Sequence, residues 1–115
     1  MPKIYKICPE TLWREAEREG VFRGTPNDAR DGFIHFSTAS QLAETARKHF
    51  AGQEGLLLIA VDRDSLGPAL AWEPSRGRNE LFPHLYGDLP LTAVERVVPL
   101  LLGSDGLHVV PDIPA

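Results

Sequence analysis

Residues 55 to 62 read GLLLIAVD, an unbroken apolar run from Leu56 to Val61 bounded by a glycine and an aspartate. The run is too short for a helix of ordinary length, and nothing in it alternates between apolar and polar. It is expected to be a central strand covered on both faces, the spine of a sheet. Upstream, Thr38-Ala39-Ser40-Gln41 has capping-box spacing, and Leu42, Ala43, Ala46 and Phe50 form one face of a helix closing near Gly52. Downstream, a turn at Asp64 to Pro68 leads to a short strand over Ala69 to Glu73.

At the amino terminus, KIYKI (Lys3 to Ile7) alternates like a half-buried strand, with Ile4 and Lys6 on one face and Tyr5 on the other. Pro9 ends it and opens a helix over 9 to 19, in which Leu12, Trp13 and Ala16 form the apolar stripe. The stretch GTPNDARDG, 24 to 32, has the composition of a loop, and GFIHFS follows as the next strand. Residues 72 to 87, WEPSRGRNELFPHLYG, read as loop-rich. Thr92 to Leu101 favours an edge-type strand, because Val94, Val97, Val98 and Pro99 all count against helix. GLHVVPD, 106 to 112, reads as a last short strand. These elements predict one α+β domain over 1–115, with two main helices on a small, split, mostly antiparallel sheet.

The chain has 115 residues, of which 43% are hydrophobic, and a formal net charge of -4. A core of single-domain size is expected, with about 65% of the unfolded chain's surface buried. The charge lends no support to a nucleic-acid partner or an anionic membrane. MPKIYKICPE holds no apolar segment of signal-peptide length, and the run Leu56 to Val61 is too short to span a bilayer, so a cytoplasmic location is expected. The single cysteine, Cys8, has no partner for an internal disulfide and reads as structural.

The polar residues raise a functional question. In GFIHFS, Ile34 and Phe36 share the face suited to the core, which leaves Phe33, His35 and Ser37 together on the other. A lone histidine in a strand is commonly a hydrogen-bonded structural residue. The segment 72 to 87, however, gathers Trp72, Glu73, Arg76, Arg78, Glu80, His84 and Tyr86, groups that titrate, donate or stack. His35 and His84 are expected to face one shared cavity. If His35 serves a site, His35→Val should be neutral or stabilising. If it is structural, the change should cost about 1–3 kcal/mol.

The runs DGFIHFS (31–37), WEPS (72–75) and FPHLYG (82–87), the last followed by a valine-bearing strand, resemble the bacterial and plant family catalogued as domain of unknown function 952. The resemblance extends from IYKI to the final GLHVVPD. That family is grouped by remote similarity with the ADP-ribosyltransferase superfold, in which a small split sheet clamps NAD. FIHFS is similar to the second strand of the RNA 2′-phosphotransferases, which use NAD to remove a phosphate from RNA. The resemblance implies an NAD-utilising transferase with a small-molecule ligand, NAD, and an RNA substrate as one acceptor. Lys6 takes the first-strand place that meets the ribose, and His35 the second-strand place beside the nicotinamide. Glu73, with Glu80 as the alternative, takes the place of the glutamate that orients the ribose. His84 completes the catalytic set. Ser37 and Tyr86 would help to hold the cofactor, and Arg76 and Arg78 would bind its pyrophosphate.

Two other readings stay open. His35 and His84 with Glu73 or Glu80 would suit a metal such as zinc, but the close spacing typical of such sites is missing, and no metal is expected. A non-catalytic ligand or partner-binding domain on an inactive transferase-like scaffold would use the same cluster. Neither GxGxxG nor GxxxxGK[ST] occurs, which disfavours Rossmann and P-loop nucleotide binding.

Overall fold

The computed structural model describes residues 3–75 and 79–114. The central strand is β4 (Leu56–Asp62), flanked on one side by β1 (Lys3–Pro9) and on the other by β8 (Val94–Leu102), with β9 (His108–Val109) beyond; the order is β1-β4-β8-β9 and every pairing is antiparallel. Side chains alternate along β4, so Leu57, Ile59 and Val61 enter one apolar core while Leu56, Leu58 and Ala60 enter another. A continuous apolar run is thus required, because neither face meets water. The first core is closed by Trp13 and Ala16 of α1 (Glu10–Glu19), and the second by Leu42 and Ala46 of α3 (Leu42–Phe50).

A second sheet is built from β3 (Ile34–His35), β6 (Leu81–Leu85) and β5 (Leu70–Pro74), in the order β3-β6-β5. The two sheets touch where Tyr5 and Ser37 exchange backbone hydrogen bonds, Tyr5 N–H to Ser37 at 2.8 Å and Ser37 N–H to Tyr5 at 2.9 Å. A further pair, β2 (Val21–Phe22) with β7 (Leu89–Pro90), sends Phe22 and Leu89 into the first core. The class is α+β, with a split antiparallel sheet as the composition of strands predicts.

Three segments differ from expectation. β1 is not half-buried: Ile4 to Cys8 are all buried, because the strand lies between the two cores and its outer edge is taken by Ser37. The stretch 24–32 is not a loop but carries a short helix, α2 (Pro26–Asp31). Thr25 caps it, Pro26 supplies a preset first turn, and Gly32 ends it in the left-handed conformation at φ 87°. The segment 72–87 is not loop throughout, since Trp72 to Pro74 and Leu81 to Leu85 are strand. Leu70 pairs with Leu85 and Pro74 with Leu81, making β5 and β6 a hairpin, and its two internal prolines are tolerated where strand pairing is one-sided. Pro83 is such a case: β3 pairs only with His84 and Leu85, and the Pro83 carbonyl accepts from Phe36 N–H instead. β8 behaves as an edge along most of its length, since β9 covers only Leu101 and Leu102. Among the described residues no helix is long and apolar enough to cross a membrane.

Cys8 tests the two-sided burial of β1. Its side chain is fully buried, and burial pushes the thiol up to about 11, against the opposing pull of the Lys6 charge. A thiol reagent added to native protein at pH 8 should therefore react only as fast as the chain unfolds, and stoichiometrically in denaturant. Rapid reaction in the native state would place β1 at the surface.

Candidate functional site

The site is organised by a residue in α2. Asp28 stands at the third position of that helix, where its carboxylate accepts the Thr25 N–H at 2.8 Å and so closes the capping box. The close approach demands glycine at 24: its φ is +106°, and a Cβ there would lie 2.8 Å from the Asp28 Cβ. The helix is thereby held with Asp28 pointing inward, only 2% exposed.

An ionised carboxylate in such a place needs partners. Lys6, itself buried, extends from β1 to within 3.0 Å of Oδ1 and 2.9 Å of Oδ2. His35 donates its backbone N–H to Oδ1 at 3.2 Å and sets Nδ1 2.6 Å from the same oxygen. Burial alone would push the Asp28 carboxyl up, but the His35 hydrogen bond, the Lys6 charge and the Thr25 N–H together hold it well below the usual carboxylate range. The other His35 nitrogen, Nε2, lies 2.9 Å from Asp31 Oδ2. Both ring nitrogens of His35 are therefore engaged by carboxylates of one short helix.

The second half of the site comes from the β5–β6 hairpin. His35 pairs directly with His84 across β3 and β6, which sets both rings on one face with centroids 5.5 Å apart. His84 is 3% exposed, and its Nδ1 lies 2.8 Å from Glu73 Oε1. The Tyr86 hydroxyl donates to that same oxygen at 2.8 Å. These two bonds, from His84 first and Tyr86 second, hold the Glu73 carboxyl below its usual range, and the bond to Glu73 raises the Tyr86 hydroxyl above its own. With Nδ1 turned to a carboxylate, a neutral His84 ring keeps Nε2 as an acceptor, the arrangement that orients a general base. Phe33 completes the cluster, its ring 4.1 Å from that of His84 and nearly parallel to it at 25°.

The sequence-derived candidates thus divide. Glu73, His84 and Tyr86 form one bonded group, and His35 lies beside it. Lys6 is joined to His35 only through Asp28, with its ammonium spent on that carboxylate. Ser37 turns its hydroxyl to Thr45 of α3, at 3.1 Å, rather than to the histidines. Glu80 is exposed near the hairpin turn, and the carboxylate bonded to His84 is that of Glu73. Arg76 and Arg78 lie outside the described residues. Among the described residues no set of three His, Cys, Asp or Glu side chains is placed to hold a metal ion. Sequence reasoning missed Asp28, Asp31 and Phe33; the signal for Asp28 was Thr25-Pro26-Asn27-Asp28, a cap, a helix-opening proline and an acid at capping-box spacing.

The family model described as "Protein of unknown function (DUF952)" matches residues 7–97, a span that includes both histidines, Asp28 and the hairpin. The chain belongs to the DUF952 family. The crystal structure of protein CC0527 from Caulobacter crescentus shares 45% sequence identity, covers 93% of each chain and superposes with a TM-score of 0.88. The solution NMR structure of CC0527 agrees, at 46% identity and a TM-score of 0.83 over 93% of this chain and 91% of that one. No curated protein matches. The DUF952 fold is therefore shared with a solved relative over nearly the full length described.

Two variants measure the Asp28 hub. Asp28→Asn leaves the Lys6 ammonium buried without its counter-charge and should destabilise by about 3–5 kcal/mol in urea unfolding. Because the folded-state carboxyl is depressed, its contribution is complete above the unfolded value near 4 and fades as the pH falls below that value toward the folded one. The gap between wild type and Asp28→Asn should accordingly shrink from pH 7 to pH 3; a constant gap would show that the charge is not what matters.

His35→Val should destabilise by about 1–3 kcal/mol, since it strips a donor from a buried carboxylate. This is the sign of a structural role. A variant as stable as wild type would show the Asp28 contact to be dispensable.

Proposed function

We propose that the face carrying Glu73, His84 and Tyr86 binds NAD, and that Glu73 promotes scission of the bond between nicotinamide and ribose, as the resemblance to the ADP-ribosyltransferase superfold implies. The observation that carries this reading is the unequal use of the Glu73 carboxylate. Oε1 accepts from both Nδ1 of His84 and the Tyr86 hydroxyl, while Oε2 has no hydrogen-bond partner among the described residues, and the side chain is 38% exposed. A carboxylate that the described residues hold at one oxygen only is pre-oriented for a ligand. In the reaction the C1′–N bond breaks with its electron pair leaving on nicotinamide, and positive charge develops on the ribose. An anionic oxygen beside that carbon stabilises the transition state more than the ground state. Attack by water or an acceptor oxygen, with loss of its proton to solvent or to His84, completes the transfer. Arg76 and Arg78, which lie between β5 and β6 in the sequence, are the proposed donors to the pyrophosphate.

A specific observation favours a second reading, a ligand-binding domain without catalysis. Lys6, His35 and Ser37 are each engaged inside the protein, with Asp28, with Asp28 and Asp31, and with Thr45. Three of the expected ligand contacts are thus committed to the fold.

Thermal stability with NAD and nicotinamide release separate the readings. For the enzyme, NAD raises the melting temperature, and Glu73→Gln lowers nicotinamide release by about 10²–10³-fold with little change in NAD affinity. Binding without release, with water or 2′-phosphorylated RNA as acceptor, supports the second reading. Neither binding nor release removes NAD from consideration.

A further inference from the structure

The ring of His35 is met by an acid at each nitrogen. Nδ1 lies 2.6 Å from Asp28 Oδ1, and Nε2 lies 2.9 Å from Asp31 Oδ2. An ionised carboxylate has no hydrogen to give, and a neutral imidazole has one donor nitrogen and one acceptor. In a neutral ring, one of the two nitrogens would therefore turn its lone pair toward an anionic oxygen. Both acids are held in the ionised form. Burial works against the charge of Asp28, but the His35 hydrogen bond and the Lys6 charge outweigh it; Asp31 is held low first by Arg30, which takes its other oxygen at 3.2 Å. The other neighbours of the ring are Phe33 and His84, and the Nδ1 of His84 is turned to Glu73. Geometry and charge agree only if His35 carries a proton on both nitrogens.

We propose that His35 is a proton-dependent clasp: as an imidazolium it fastens β3 to both Asp28 and Asp31 of α2, and on losing a proton it lets Asp31 go and becomes a base on the polar face. The two contacts are unequal. Asp28 is 2% exposed and is fixed by Thr25 and Lys6, whereas the Asp31 side chain is 35% exposed and free to turn to water. The proton that leaves is therefore the one on Nε2, because Nδ1 keeps its buried partner. The bared lone pair then faces the Asp31 carboxylate and repels it. What remains is an imidazole oriented at Nδ1 by a buried carboxylate, with Nε2 uncovered, an arrangement suited to a general base. The side chain is 33% exposed and its ring lies 5.5 Å from that of His84, so this base would serve the face that carries Glu73. The contact with Asp31 is present while the ring is charged and is lost as the pH rises through its deprotonation. The clasp involves only protons and α2, and it stands or falls independently of NAD.

Long-range proton–nitrogen NMR correlation of the ¹⁵N-labelled protein reads the state of each ring nitrogen. At pH 7 both nitrogens of His35 should show the signature of a protonated ring. In Asp31→Asn, whose amide can donate to a bare Nε2, the ring should become neutral at a lower pH than in wild type, with its remaining proton on Nδ1; Asp31→Ser serves if that variant does not fold. A wild-type ring with a single proton at pH 7, or a folded variant that titrates like wild type, overturns the clasp. Amide exchange reads its mechanical effect. Gly32 and Phe33 N–H both donate to the Asp28 carbonyl, so their protection factors should fall about two- to fivefold once the ring is neutral, the change expected for loss of one exposed ion pair, while those of β4 stay the same. Protection at Gly32 and Phe33 that does not change as the ring titrates also overturns it.

Discussion

The carboxylate of Asp28 is the group around which the functional half of the molecule is arranged. It lies 2% exposed and is met by Lys6 from β1, by the Thr25 N–H at the start of its own helix, and by both the backbone and the ring of His35 in β3. A buried ion pair of this sort adds little net stability compared with apolar packing, but losing one partner is costly. Its effect is therefore to fix positions. α2 can dock in only one way, with Asp28 inward, and Asp31 then lands beside Nε2 of His35. Gly32 and Phe33 follow on a backbone already tied to Asp28, which sets the aromatic ring over His84.

Strand pairing supplies the rest of the geometry. The direct pair His35 with His84 puts the two imidazoles on one face, and the β5–β6 register sets Glu73 beside Phe82, one diagonal step from His84 on that same face. Ile34 and Leu85, the next pair along, point the opposite way into the first core. One face of a small sheet is thus anchored in apolar packing while the other is given over to polar and aromatic groups. The division follows from the period of two along a strand, and a register slip of one residue would turn the histidines toward the first core and the isoleucine and leucine to the polar face.

The same polar face shows two histidines in different circumstances. His35 has carboxylates at both nitrogens and is bound into the fold. Among the described residues His84 has one carboxylate, at Nδ1, and that carboxylate, Glu73, also accepts from the Tyr86 hydroxyl. Position in a strand does not distinguish them. The number of acidic partners does, and α2 supplies two of those to His35.

Sequence alone determined the elements whose cause is local or periodic. The apolar run Leu56 to Val61 had to be covered on both faces, the stripe of Leu42, Ala46 and Phe50 had to meet a core, and the alternation of Ile34, His35 and Phe36 had to separate the histidine from its apolar neighbours. The motifs DGFIHFS and FPHLYG also carried the family. Tertiary structure alone decided the burial of Lys6, the partner of His84 and the commitment of Ser37. A lysine in an alternating strand looks exposed until a carboxylate 22 positions away is folded over it. Glu73 and Glu80 are equally acidic on paper, and only the hairpin register brings one of them to His84. Such contacts join residues far apart in the chain, so they depend on how finished elements pack and leave no trace in the spacing of the residues that make them.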